Sequence, residues 1–256
     1  MADASGVDLS QFKRWYSQAG TPVVKVSGEW LAAERRYVLT LRQSCPATPG
    51  QDNKEPFHIP IAVGLLDRRG RDMLSGDRDG TRVLELRDEE QSFSFPDIGE
   101  KPVLSFLRGF SAPVKVEWDQ GREELAFLLA HDTDLFNRWY AASKLSEIVI
   151  LEAVARRQAN AEPALDPDFV AAVRMNLQRP AGDKALLALA LQLPAETYLA
   201  QQMETVDPDN LHRAREFVGS QLSALLAEEF RRIYDDNNEE GEYRITPEAM
   251  GRRSLK

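Results

Sequence analysis

The chain has 256 residues, 43% hydrophobic and 29% charged, which suits a soluble globular protein of one large domain or two ordinary ones. The net charge is −9, with 16 Lys+Arg against 18 Asp+Glu over residues 1–120 and 16 against 23 over residues 121–256. That balance excludes nucleic acid as the main partner, and no basic cluster offers a membrane surface.

Cys45 is the one cysteine, so the fold cannot depend on an intrachain disulfide. Residues 1–6 lack the apolar core of a signal peptide, and the longest apolar stretch, 185–191, is far too short to span a bilayer. The expected location is the cytoplasm.

The first predicted element is a helix over residues 8–19. Asp8 is a good N-cap, and Gln11 three residues on completes a capping-box pattern. Leu9, Phe12, Trp15, Tyr16 and Ala19 share one apolar face, and Gly20-Thr21-Pro22 stops the helix. A lone helix of this length is unstable in water, so the aromatic face must pack on something.

From Pro22 to Trp118 the hydrophobic period becomes two. Val24 and Val26 alternate with Lys25; Tyr37, Leu39 and Leu41 share a face; Phe57, Ile59, Ile61, Val63 and Leu65 form a longer stripe. Leu84 with Leu86, Phe93 with Phe95, Leu104 with Phe106, and Val114 with Val116 and Trp118 come next, separated by turns such as Asp67–Gly70 and Gly76–Gly80. About seven such strands predict an antiparallel β-sandwich of immunoglobulin-like form. Pro60 inside the long stripe marks an edge strand or a bulge.

After Asp119 the strand signal ends. Leu135, Phe136, Trp139, Leu145, Ile148, Val149 and Leu151 predict a long amphipathic helix. Asp166-Pro167, Asp207-Pro208 and Thr246-Pro247 each put a capping oxygen before a proline, the signature of a helix start. These starts lie 41 and 39 residues apart, with at least one helix between the first two, around 183–191, and room for another at 195–204. A period of about 40 residues fits the start of a HEAT-like solenoid, and an irregular bundle is the alternative. The last helix still runs at Leu255-Lys256 without a stop signal, so the chain reads as cut in mid-domain.

Catalytic chemistry is hard to find. His58, His131 and His212 form no pair at zinc-helix spacing. His131-Asp132-Thr133-Asp134 reads as the acidic start of the next helix, and His58 as structural. Cys45 lacks a basic sequence neighbour to activate it. Gly76-Asp77-Arg78-Asp79-Gly80 lacks the alternating ligands and closing glutamate of an EF-hand. The runs Asp88-Glu89-Glu90 and Asp235-Asp236 read as solvated faces, and no phosphate-binding glycine loop is present. Phe12, Trp15 and Tyr16 could form a ligand platform, but core packing is the simpler role. No catalytic, cofactor-binding or metal-ligating residue is therefore assigned.

The segment Phe12-Lys13-Arg14-Trp15-Tyr16-Ser17-Gln18-Ala19-Gly20-Thr21-Pro22-Val23-Val24 resembles the aminopeptidase N family of zinc aminopeptidases, where a Trp…Gln-x-Gly-x-Pro stretch joins a thermolysin-like catalytic domain to a β-sandwich. Pro46–Pro49, Pro56–Pro60 and Phe110–Lys115 resemble the bacterial branch in the same order. So do Asp134–Ala142, at the start of its helical domain, and then Tyr243-Arg244 and Arg252–Leu255.

The resemblance implies three parts: residues 1–20 as the terminal helix of a catalytic domain, 21–118 as the sandwich, and 119–256 as a truncated first part of the helical domain. It implies a non-catalytic fragment of an enzyme that removes N-terminal residues from peptides, acting as spacer and as part of the cover over the active site. Zinc would belong to the parent enzyme, since the H-E-x-x-H helix and G-A-M-E-N loop of the family are absent here. The implied partners are the catalytic domain and the remaining helical domain of the same protein, with peptides as substrates. The alternative is a free-standing protein–protein interaction module.

Overall fold

The computed structural model describes residues 6–74, 80–178, 182–238 and 243–256, in two compact units, 1–120 and 121–256. The expected turn at Gly76–Gly80 lies, apart from Gly80, outside the described residues.

The first unit holds the seven expected strands: β1 (Val23–Leu31), β2 (Arg36–Ser44), β3 (Ile59–Leu66), β4 (Arg82–Leu86), β5 (Glu90–Phe95), β6 (Val103–Phe106) and β7 (Lys115–Glu117). They form a four-stranded sheet, β5-β2-β1-β7, and a three-stranded sheet, β4-β3-β6. Every pair is antiparallel except β1–β7, which runs parallel from Val23 opposite Lys115. The alternation that predicts the strands also builds the core. Val24, Leu39 and Leu41 of one sheet and Ile59, Ile61, Val63, Leu65 and Leu86 of the other are wholly buried in one cluster. Each such side chain contributes about 1.5–3 kcal/mol relative to exposure.

β3 is the middle strand of its sheet, not an edge. Pro60 is tolerated because β6 pairs with β3 only from Val63 onward. Ala62, two residues along and so facing the same flank, donates its N–H to Ser111 Oγ instead of to a strand. The flank that Pro60 leaves without a donor therefore has no ladder to feed.

Arg108 is buried beside this strand. Its Nε donates to Ser105 Oγ at 2.8 Å, Nη1 to Thr81 Oγ1 at 3.1 Å and Nη2 to Asp72 Oδ1 at 2.6 Å. The guanidinium lies against Gly64, where a Cβ would stand 2.1 Å from Arg108 Cζ. Only glycine permits that approach.

The N-terminal segment departs from expectation. Its α-helix, α1, is the single turn Arg14–Ser17, preceded by looser turns from Leu9. Asp8 Oδ1 accepts from Ser10 N, but Gln11 does not reach back to complete a capping box. Gln11 Nε2 instead donates to the carbonyls of Arg87 (2.6 Å) and Pro56 (3.3 Å). Arg14 Nη1 donates to Pro56 O, Trp15 Nε1 to His58 O, and Gln18 exchanges two bonds with Glu55. Trp15 packs on Phe57 with ring centroids 4.7 Å apart, while Tyr16 is 84% exposed. The expected single aromatic face is thus split, because tertiary hydrogen bonds outweigh the weak propensity of so short a helix.

The second unit is helical: α2 (Arg122–His131), α3 (Leu135–Gln158), α4 (Pro167–Gln178), α5 (Lys184–Ala190), α6 (Glu196–Ala200), α7 (Pro208–Leu225), α8 (Ala227–Asn237) and α9 (Pro247–Ser254). The 24-residue α3 is central and packs against α2, α5 and α7. Two expected caps form, Asp207 accepting from Asn210 N and Thr246 from Ala249 N, and the expected Asp166 accepts from Asp168 N at the start of α4. Asp134 and Asp183 cap α3 and α5 in the same way, accepting from Asn137 N and from Ala185 N and Leu186 N. Arg122 joins Asp166, at the start of α4, to Glu152 of α3. One expectation changes: the helix around 195–204 is only five residues long.

Candidate functional site

His58 sits one residue before β3, with Nε2 3.8 Å from Glu85 Oε2. Burial pushes its pKa down, the Arg87 charge adds to this, and Glu85 opposes it. Its carbonyl receives Trp15 Nε1, so the residue serves as an anchor. His131 closes α2 with its ring 4.8 Å from Phe127. His212 on α7 meets Glu196 Oε1 of α6 at 2.9 Å, and the hydrogen bond and charge of Glu196 raise its pKa. Each histidine thus meets a different neighbour: Glu85, Phe127 and Glu196. Cys45 Sγ makes only long contacts, 3.7 Å to Ala19 O and 3.9 Å to Pro46 O.

The acidic runs are exposed, as expected: Glu89 pairs loosely with Arg42, and Asp235 with Arg231 one turn away. Asp134 is the N-cap of α3, and Asp132 Oδ1 accepts from Asp134 N. Among the described residues, no three His, Cys, Asp or Glu side chains converge as metal ligands.

The densest chemistry is one that sequence reasoning missed. Lys144 and Glu147 lie one turn apart on α3, with Lys144 Nζ 3.1 Å from Glu147 Oε2. Tyr198 of α6 donates its hydroxyl to Glu147 Oε2 at 2.7 Å and stands 3.3 Å from Lys144 Nζ. Burial disfavours the Lys144 ammonium, yet the bonds and charge of Glu147 and Tyr198 hold its pKa above the ordinary lysine value. Burial raises the pKa of Tyr198 and of neighbouring Tyr140, and Glu147 adds to both effects.

Every one of these shifts keeps the proton on. The two bonds of the Tyr198 hydroxyl fasten α6 to α3. The spacing of Lys144 and Glu147 is visible in the sequence, but the arrival of Tyr198, 51 residues away, is not.

An open cleft of about 350 Å³ lies between the starts of α5 and α9, lined by Asp183, Lys184, Glu248, Gly251 and Arg252 among others. Its polar groups are partly engaged: Asp183 caps α5, and Lys184 Nζ donates to Asn237 Oδ1 at 2.7 Å. No helix among the described residues is long and apolar enough to cross a membrane.

Comparison with known proteins matches two family profiles in sequence. Residues 20–119 match a domain of unknown function, DUF3458, with an Ig-like fold, and residues 122–256 match DUF3458_C, a domain of unknown function with ARM repeats. Over its whole length the chain is 38% identical to aminopeptidase N of Escherichia coli (strain K12) and 40% identical to aminopeptidase N of Caulobacter vibrioides. It spans only 30% and 29% of those relatives. Among solved structures it is similar to Legionella pneumophila aminopeptidase A, determined in complex with aspartic acid. The TM-score is 0.79 at 26% identity, over 99% of this chain and 29% of that one.

Proposed function

Because the chain belongs to the DUF3458_C family of ARM-repeat domains, matched over residues 122–256 and preceded by an Ig-like DUF3458 domain, we propose that it is the non-catalytic sandwich and helical part of an aminopeptidase N that removes N-terminal residues from peptides. The observation that carries this reading is identity of 34–40% to three aminopeptidases N over all of this chain. In this reading zinc chemistry belongs to a catalytic domain of the same protein, which is this chain's first partner. The sandwich acts as spacer, and the helical unit as part of the cover that admits peptides. The reading includes a cytoplasmic home, since the single Cys45 needs no oxidising compartment.

We assign residues 1–20 to the end of the catalytic domain, 21–118 to the sandwich and 119–256 to the helical part. Residues 8–19 then act as a splice. Gln11, Arg14, Trp15 and Gln18 grip the sandwich through its backbone carbonyls, while Tyr16 remains outside to meet the catalytic domain.

The test has two arms. The reading frame around this chain is searched for an H-E-x-x-H helix, and the product of that whole frame is assayed beside the chain alone on fluorogenic aminoacyl substrates. Turnover by the whole product with none by the chain supports the proposal. A frame without a zinc motif, or a whole product that cleaves nothing, overturns it in favour of an interaction module. In the active parent, His58→Gln should leave kcat nearly unchanged, whereas a general base would cost about 10²-fold or more.

A further inference from the structure

We propose that one ordered water molecule is a built part of the helical unit, held between the side-chain amide of Asn176 on α4 and the C-terminal turn of α5. Asn176 is 1% exposed. Its Oδ1 accepts from Arg138 Nη2, which fixes the sense of the amide. Rotating the amide would set its NH2 against the guanidinium, donor against donor, so the amide cannot flip to find a better arrangement.

With Oδ1 engaged, Nδ2 is buried and has no acceptor among the described residues. Buried donors in native proteins are almost always satisfied, and where protein atoms do not reach them ordered water does.

The room fits that partner. Asn176 lines a cavity with Leu135, Arg138, Leu186, Leu187 and Ala190 that leaves about 10 Å³ for the centre of a water-sized sphere. That is near the minimum for a single water. Leu187 and Ala190 come from the last turn of α5, where carbonyls lack intrahelical donors. Leu191 N is shared there between the carbonyls of Leu187 and Ala188, at 3.2 and 3.3 Å, so each is thinly served. A water that accepts from Asn176 Nδ2 and donates to one of these carbonyls satisfies both ends. Its bonds to the buried amide and to the end of α5 hold it in place, and it couples α4 to α5.

The test uses the full chain. A crystal structure should show one water within about 3.2 Å of Asn176 Nδ2. In solution, the Asn176 side-chain amide should give a cross-relaxation peak to water with the sign of a molecule bound longer than overall tumbling. Asn176→Leu should remove one long-lived water from the oxygen-17 relaxation dispersion while helical circular dichroism is retained. An unchanged dispersion in a folded Asn176→Leu protein overturns the proposal. Should that variant fail to fold, the native crystal structure decides: Nδ2 bonded to a protein oxygen, or a cavity without water density, overturns it.

Discussion

The two units bury different things. The sandwich core is a single apolar cluster, and its main buried charge is Arg108, whose three donor nitrogens all find partners. The helical unit threads polar side chains through its interior, with Asp132, Asn137, Arg138, Ser146, Asn176 and Asn237 all buried. A sheet satisfies its backbone by pairing strands, which leaves its inner face free to be purely apolar. Short helices expose unpaired ends to their neighbours, and buried amides and guanidinium groups meet those ends. Among the described residues, buried polarity in the sandwich is confined to Gln43, Asp67 and the Ser105–Arg108 pair, while six polar side chains are spread through the helices.

That contrast can be broken most forcefully at Gly64. Gly64→Ala drives a methyl into the Arg108 guanidinium and should separate it from Asp72. Disrupting a buried pair costs about 3–5 kcal/mol. The expected outcome is a large fall in the urea midpoint, read by hydrogen exchange over residues 23–117.

Next is Trp15→Ala, which removes both the contact with Phe57 and the bond to His58 O. The expected loss is about 2 kcal/mol, adding an aromatic pair to a hydrogen bond. It should appear as faster exchange over residues 13–18, with the β1–β2 ladder still protected.

In the helical unit, Asp134→Ala removes the N-cap of α3. About 1 kcal/mol of stability should be lost, and thermal unfolding followed by circular dichroism checks it.

The smallest effect separates two histidines by sign. The folded state lowers the pKa of His58 below its usual 6.5 through burial, so its contribution is present above that value and lost as pH falls. The folded state raises the pKa of His212 through Glu196, so its contribution is present below 6.5 and lost as pH rises through the raised value. Proton NMR titration should place the two midpoints on opposite sides of 6.5. Glu196→Gln should bring His212 back towards it, and an unmoved His212 midpoint would remove the assigned cause.

Much of this architecture was legible in the residues themselves. The period-two stripes at 24–26, 37–41 and 59–65 are strands because alternate side chains must share one buried face. Asp207-Pro208 and Thr246-Pro247 start helices because a carboxylate or hydroxyl there accepts free N–H groups before a proline that needs none. These are local rules, with partners only a few residues apart.

Only the tertiary structure decided which distant groups meet. Gln11 suggests a capping box and instead reaches Arg87, 76 residues on. Pro60 suggests an edge and instead stands in the middle strand, beyond the reach of β6. Lys144 and Glu147 lie in view as a helical pair, yet Tyr198 completes them from another helix. Period and steric preference operate within a turn or a strand. The pairing of Arg108 with Asp72, or of Asn176 with Arg138, depends on which loops close and which surfaces fill, and that is settled by packing the whole chain at once.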